Sequence, residues 1–139
     1  MDLTEFVDDI VHEPTQTDGR GLDLTVAGIS RVAEPGRVDF GGGELTAAEL
    51  EAVETERRNP DDDYGWWNLE SGRYLIEYNE SLTVPSDERF LLQTRDELLA
   101  RGAFHPTLHV ESLDRVPLVV GGAGLRLKEN ARVSTLLSE

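Results

Sequence analysis

The sequence predicts an all-β fold, a compact barrel or sandwich, on three observations. Short apolar or alternating stretches recur along most of the chain, and glycine, proline and acidic clusters separate them. The regular crossover helices that a parallel α/β sheet requires are missing. At 139 residues the chain can fill one hydrophobic core and is too short for two ordinary domains, so a single domain over 1–139 is expected.

Asp2-Leu3-Thr4-Glu5 has the Asp-x-x-Glu form of a helix start, and Leu3, Phe6, Val7 and Ile10 recur at helical spacing. This predicts an amphipathic N-terminal helix within 1–12. After Gly19 and Gly21, the residues Leu22, Leu24 and Val26 alternate with Asp23 and Thr25 as in a half-buried strand. A second short strand is expected from Ile29 to Val32, ahead of a turn at Pro35-Gly36. Gly41-Gly42-Gly43 lacks the lysine and serine partners of a phosphate loop and reads as a turn. Thr46-Ala47-Ala48-Glu49 has capping-box form, with Leu50 and Val53 behind it and Arg57-Arg58 at the far end, which predicts a surface helix and an acidic loop over 46–63. The adjacent Asp61, Asp62 and Asp63 lack the alternating ligand pattern of a calcium loop.

From Trp66 onward strands dominate. Tyr74, Ile76 and Tyr78 alternate with Leu75 and Glu77, and Leu82 and Val84 follow a turn at Asn79-Glu80. Further strands are expected at Phe90-Leu91-Leu92, Leu108 to Val110, Val116 to Val120, Leu125 to Leu127 and Val133 to Leu137. The helical exception is Arg95 to Arg101, with Thr94 as its cap, Glu97 completing the box and Gly102 in the left-handed terminating position.

The formal charge is −15, from 28 acidic and 13 basic residues, and Lys128 is the only lysine. Such a surface repels nucleic-acid backbones and anionic membranes, so neither is expected as a partner. An acidic, lysine-poor surface fits a salt-rich cytoplasm, where screening over about 3 Å at 1 M salt quiets self-repulsion. Cysteine is absent, which excludes disulfides and thiolate chemistry. No apolar run approaches the roughly 20 residues of a membrane span, and the start lacks the form of a signal peptide, so a cytoplasmic location is expected. His105 and His109 are four apart with Pro106 between them, and strand alternation would put both on one side. No cysteine completes a zinc set and the acids are too numerous to single out a third ligand, so no metal is assigned.

Taken in order, these elements resemble the superfamily of trimeric dUTP diphosphatases and dCTP deaminases, above all its archaeal members, over approximately Gln16 to Leu137. The resemblance starts at Gln16-Thr17-Asp18-Gly19-Arg20-Gly21-Leu22-Asp23-Leu24 and continues through Trp66-Trp67 and Gly72 to Glu80. Thr94 to Ala103 is similar to the family's phosphate-contacting motif, and Gly124 to Leu137 to its final sheet segment. It implies a distorted β-barrel of the β-clip type, a homotrimer, and a pyrimidine deoxynucleotide held between neighbouring subunits with Mg2+. By the same resemblance Arg95 touches the triphosphate, Glu111 orients the attacking water, Thr107 binds substrate, and Gln16, Asp23 and Arg132 support the site. A guanidinium suits phosphate because its fork makes paired, charge-assisted contacts. Pairing of Arg95 with Asp96 or Glu97 is the competing reading.

The chain departs from the family pattern at four places. Asp96-Glu97 stands where two serines are usual, and carboxylates cannot donate to phosphate. Ser112-Leu113-Asp114-Arg115-Val116 is shorter than the family's pyrimidine hairpin, with Asp114 as an alternative acid to Glu111. Pro117 to Gly122 holds no glutamate for deamination, and no glycine-rich tail follows the last strand. The expected function is therefore a dUTP-diphosphatase-like hydrolase releasing monophosphate and pyrophosphate. The alternative is a noncatalytic homologue serving as a nucleotide-sensing or protein-interaction module, with dCTP deamination behind both. Trp66-Trp67 reads either as an exposed interface anchor or as a cover for the core.

Overall fold

Alternation of apolar residues gives each strand one core-facing side, and the longest strand, β2 (Leu22–Glu34), ties the sheet together. The computed structural model describes all of residues 1–139. The first half of β2 pairs with β12 (Arg132–Ser138), and its second half pairs with β5 (Gly72–Tyr78) and β3 (Glu49–Ala52), all antiparallel. A register shift between Val26 and Gly28 marks the point where β2 changes partners, and such an irregularity bends a strand. Beyond β5 lie β10 (Val116–Val120) and β8 (Ala103–Phe104); beyond β12 lie β7 (Phe90–Thr94) and β9 (Leu108–Val110). The result is a curled, eight-stranded half-barrel. Two further pairs join β1 (Val7–Asp8) to β6 (Ser81–Leu82) and β4 (Trp66–Leu69) to β11 (Leu125–Lys128). The all-β barrel expected from the sequence is the fold that forms.

The inner faces meet in one core centred on Leu24, Val26, Ile76, Phe90, Leu92 and Leu118, none with measurable exposure. Full burial of each such side chain contributes roughly 1.5–3 kcal/mol. The alternation predicted for Tyr74, Ile76 and Tyr78 sets these three inward on β5. Trp67 is also buried and donates its indole N–H to the Val53 carbonyl at 2.9 Å. It covers the core, while Trp66 stands half-exposed under the Arg58 guanidinium, 3.9 Å from the ring centre.

Several local expectations are overturned, each by a long-range pairing. In place of a helix over the first twelve residues there is one 3-10 turn, Leu3–Phe6, and then β1. Asp2 does cap that turn, accepting from the Thr4 amide at 3.1 Å, but Val7 is drawn into a pair with Leu82 and Asp9 takes a left-handed φ of 63°. A single-turn helix, α1 (Glu13–Gln16), follows instead, with Pro14 in its first turn. The surface helix within 46–63 is absent as well. Thr46 bridges Arg37, and Glu49–Ala52 forms β3 on the open edge of β2. Leu50 and Val53 make too thin an apolar stripe to hold a helix, and strand pairing satisfies the backbone better. Leu22–Val26 and Ile29–Val32 are one strand, not two. The helix expected from Arg95 to Arg101 shrinks to α2 (Asp96–Leu99), capped by Arg95. Thr94 ends β7 and its hydroxyl is engaged with His105, so the capping box does not form, while Gly102 does take the left-handed conformation at φ 79°.

Candidate functional site

Register brings distant polar residues onto one row. Thr135 of β12 lies between Asp23 of β2 and Gln93 of β7, and Arg95 follows where β7 turns into α2. Asp23 is buried, and its carboxylate accepts from the Thr135 hydroxyl at 2.7 Å and from Arg132 Nη1 at 3.0 Å. Arg95 Nε lies 3.4 Å from the same carboxylate. The other two Arg95 nitrogens are also engaged, Nη2 with Glu97 at 3.1 Å and Nη1 with the Arg132 carbonyl at 3.4 Å. Gln16, on α1, donates to the Asp23 carbonyl and to Glu80 Oε2, both at 2.8 Å. Glu80 in turn accepts from the Thr25 amide at 2.9 Å and the Thr25 hydroxyl at 2.7 Å. Every buried polar side-chain atom has a partner, so the network is a rigid floor.

Two adjoining clefts open above this floor. The smaller, about 150 Å³, is lined only by polar residues and glycine, among them Arg20, Asp23, Arg95, Asp96 and Thr135. The larger, about 490 Å³, shares Arg20 and Asp96 and adds Thr94, His105 and Thr107. The first is of phosphate size and the pair together reaches the range of a small-ligand site. Arg95, Thr107, Asp23 and their supports Gln16 and Arg132 thus belong to one region.

Glu111 does not. It lies in a third cleft of about 590 Å³ with Arg89, His109, Asp114 and Arg115. Phe90 pairs with Val110, so Glu111 sits beside the end of β7 opposite Arg95. The separation along the strand is roughly 17–20 Å at about 3.4 Å per residue. One reacting phosphate cannot touch both residues of the same chain.

A second buried chain of hydrogen bonds backs the larger cleft. Tyr78 and His105 both bond the Ser134 hydroxyl at 2.7 Å, and His105 Nδ1 lies 2.8 Å from the Pro106 carbonyl. A carbonyl only accepts, so Nδ1 carries the proton and Nε2 accepts from Ser134, whose oxygen accepts from Tyr78. Burial lowers the His105 pKa below the ordinary imidazole value, with the Pro106 bond opposing, which keeps the ring neutral as this arrangement requires. Burial also raises Tyr78 well above the ordinary phenol range, assisted by the nearby charge of Glu80. His105 and His109 do not converge. His105 is buried after β8, while His109 is exposed on β9 and pairs with Glu139 at 3.3 Å. Nowhere do three or more His, Asp or Glu side chains gather as metal ligands.

Sequence reasoning missed Glu80, which reads as a turn carboxylate yet is buried, and missed Thr135, Ser134 and Arg20. Only the polar residues interrupting the apolar run of β12 hinted at Ser134 and Thr135.

No family model matches the chain. Curated relatives do. A probable deoxyuridine 5'-triphosphate nucleotidohydrolase of Methanosarcina acetivorans is 30% identical over 137 residues, covering 95% of this chain and 77% of that protein. Proteins of the same description from Methanococcoides burtonii and Archaeoglobus fulgidus are 28% and 29% identical, each over 95% of this chain and 77% of their own length. Among solved structures, the 2'-deoxycytidine 5'-triphosphate deaminase of Agrobacterium tumefaciens superposes with a TM-score of 0.60 at 14% identity, over 96% of this chain. The chain spans 43% of that deaminase, a likeness of fold alone. Fold, motif order and relatives agree, and the chain belongs to the deoxyuridine 5'-triphosphate nucleotidohydrolase family.

Proposed function

We propose that this chain is a dUTP-diphosphatase-like hydrolase that cleaves a deoxynucleoside triphosphate to its monophosphate and pyrophosphate, at sites formed between the copies of a homotrimer. The observation that carries this reading is the floor of Asp23, Thr135, Arg132 and Arg95 beneath a phosphate-sized polar cleft that opens towards Thr107. The description of the archaeal relatives supports dUTP as the nucleotide.

The separation of Glu111 from Arg95 supports a shared site. A carboxylate acts as general base only within hydrogen-bond reach of the water it deprotonates, so Glu111 would serve a nucleotide seated on another copy's phosphate cleft. Glu97 is held by Arg95, which softens its repulsion of phosphate, but Asp96 has no cation within ion-pair distance. The chain offers no cage of three or more side chains for a metal. Magnesium therefore fits as part of the substrate, carried on the phosphates, with Asp96 placed to add one carboxylate ligand. Magnesium commonly binds through one or two carboxylates plus substrate phosphates. Deamination lacks support from the residues, since β10 reads Val-Pro-Leu-Val-Val without an acid. The acidic surface argues against nucleic acid as a partner, and no helix is long and apolar enough to cross a membrane. A salt-rich cytoplasm remains the setting we propose.

Product analysis tests this. Purified protein at molar salt with magnesium is given dUTP and dCTP separately, with Glu111→Gln as the control. Release of dUMP and pyrophosphate, reduced at least a hundredfold in the control, is the expected result. A folded protein that binds the nucleotide without cleaving it would instead establish the nucleotide-sensing alternative.

A further inference from the structure

Three arginines approach the polar cleft or its floor, and two of them are already committed. All three nitrogens of Arg95 have acceptors within the chain, two of them carboxylates. Arg132 is held by Asp23 and by the Thr15 carbonyl. Arg20 differs. Its side chain makes no ion pair and no hydrogen bond, although the chain carries 28 acids and Asp96 lines the same two clefts.

The position of Arg20 is built into the fold. A Cβ at Gly21 would overlap the Leu136 carbonyl oxygen, so only glycine lets this loop lie against β12. Leu22 then enters the ladder opposite Leu136, and on the other side Gln16 is tied to the Asp23 carbonyl. The chain is thereby anchored on both sides of Arg20, which lines both clefts.

We propose that Arg20 is the residue that receives the phosphate chain of the ligand, and that Arg95 is a structural clamp for the cleft floor. This rests on the nucleotide reading above and assigns the anion contact within it to a different residue. An uncommitted guanidinium can turn its whole fork to phosphate, whereas Arg95 must first surrender bonds to Asp23 and Glu97. Asp96 and Glu97 remove the hydroxyl donors that the family resemblance would place here, and Arg20 supplies donors from across the cleft.

The test is calorimetric titration of the full chain, at molar salt with magnesium, with inorganic tripolyphosphate and with a nonhydrolysable dUTP analogue. Arg20→Ala should bind both probes at least tenfold more weakly, with an unchanged melting temperature, and Arg20→Lys should recover part of the loss. Arg95→Gln should lower the melting temperature. If wild-type protein binds the probes and a folded Arg20→Ala binds them equally well, the assignment to Arg20 fails while the nucleotide reading stands. If wild-type protein binds neither probe, both fail together.

Discussion

Asp23 shows how single residues set this site. Its carboxylate serves Thr135, Arg132 and Arg95 at once, so Asp23→Asn leaves two guanidiniums facing a neutral amide. Breaking one partner of a largely buried pair costs about 3 kcal/mol, and chemical denaturation should show a loss of about that size. His105 makes a pH-dependent contribution. Because burial lowers its pKa from 6.5, the unfolded chain takes up a proton that the folded chain refuses. Its stabilising effect is therefore complete above about pH 6.5 and is lost as the pH falls through the lower, folded value. The urea midpoint should drop between pH 7.5 and pH 5.5, and His105→Gln should flatten that part of the curve. At this scale the sequence was partly legible. Gln16, Asp23 and Arg132 could be named from a family likeness, but their convergence could not, because Asp23 and Arg132 are 109 residues apart and only strand register joins them. Glu80 was illegible for the opposite reason, since a glutamate after asparagine at a turn carries no mark of burial.

At the scale of elements, apolar alternation succeeded wherever a strand had one buried face, as in β5, β7 and β10. Local capping signals failed where an open strand edge competed with them. Thr46-Ala47-Ala48-Glu49 satisfies a helix rule, yet the edge of β2 offers paired hydrogen bonds that a thinly apolar helix cannot match. Two substitutions probe the elements. Gly21→Ala forces the loop off β12 and should lower stability and nucleotide affinity together, a joint loss that a surface glycine such as Gly43 would not show, since nothing lies near a Cβ there. Trp67→Ala removes a core side chain and its bond to Val53, for an expected cost of about 3–5 kcal/mol in thermal or urea unfolding. Loss of assembly without loss of fold would show that Trp67 serves an interface instead.

The whole molecule is a half-barrel whose candidate groups lie in separate clefts: a phosphate-sized cleft over Asp23 and Arg95, and Glu111 roughly 17–20 Å away beyond the other end of β7. That distance was invisible in a sequence where the two residues are only sixteen apart. In the proposed homotrimer, one copy's Glu111 would reach another copy's phosphate cleft. The most direct test is complementation. Glu111→Gln and Arg20→Ala chains are each prepared as weakly active protein, unfolded and refolded together, and assayed for dUMP at nucleotide concentrations that the Arg20→Ala copy does not fill. Mixed assemblies contain some sites with an intact Glu111 and an intact Arg20 from different copies, so turnover should rise well above that of either parent. Mixed assemblies, verified as such by mass, that stay at the parental level would contradict a site shared between copies.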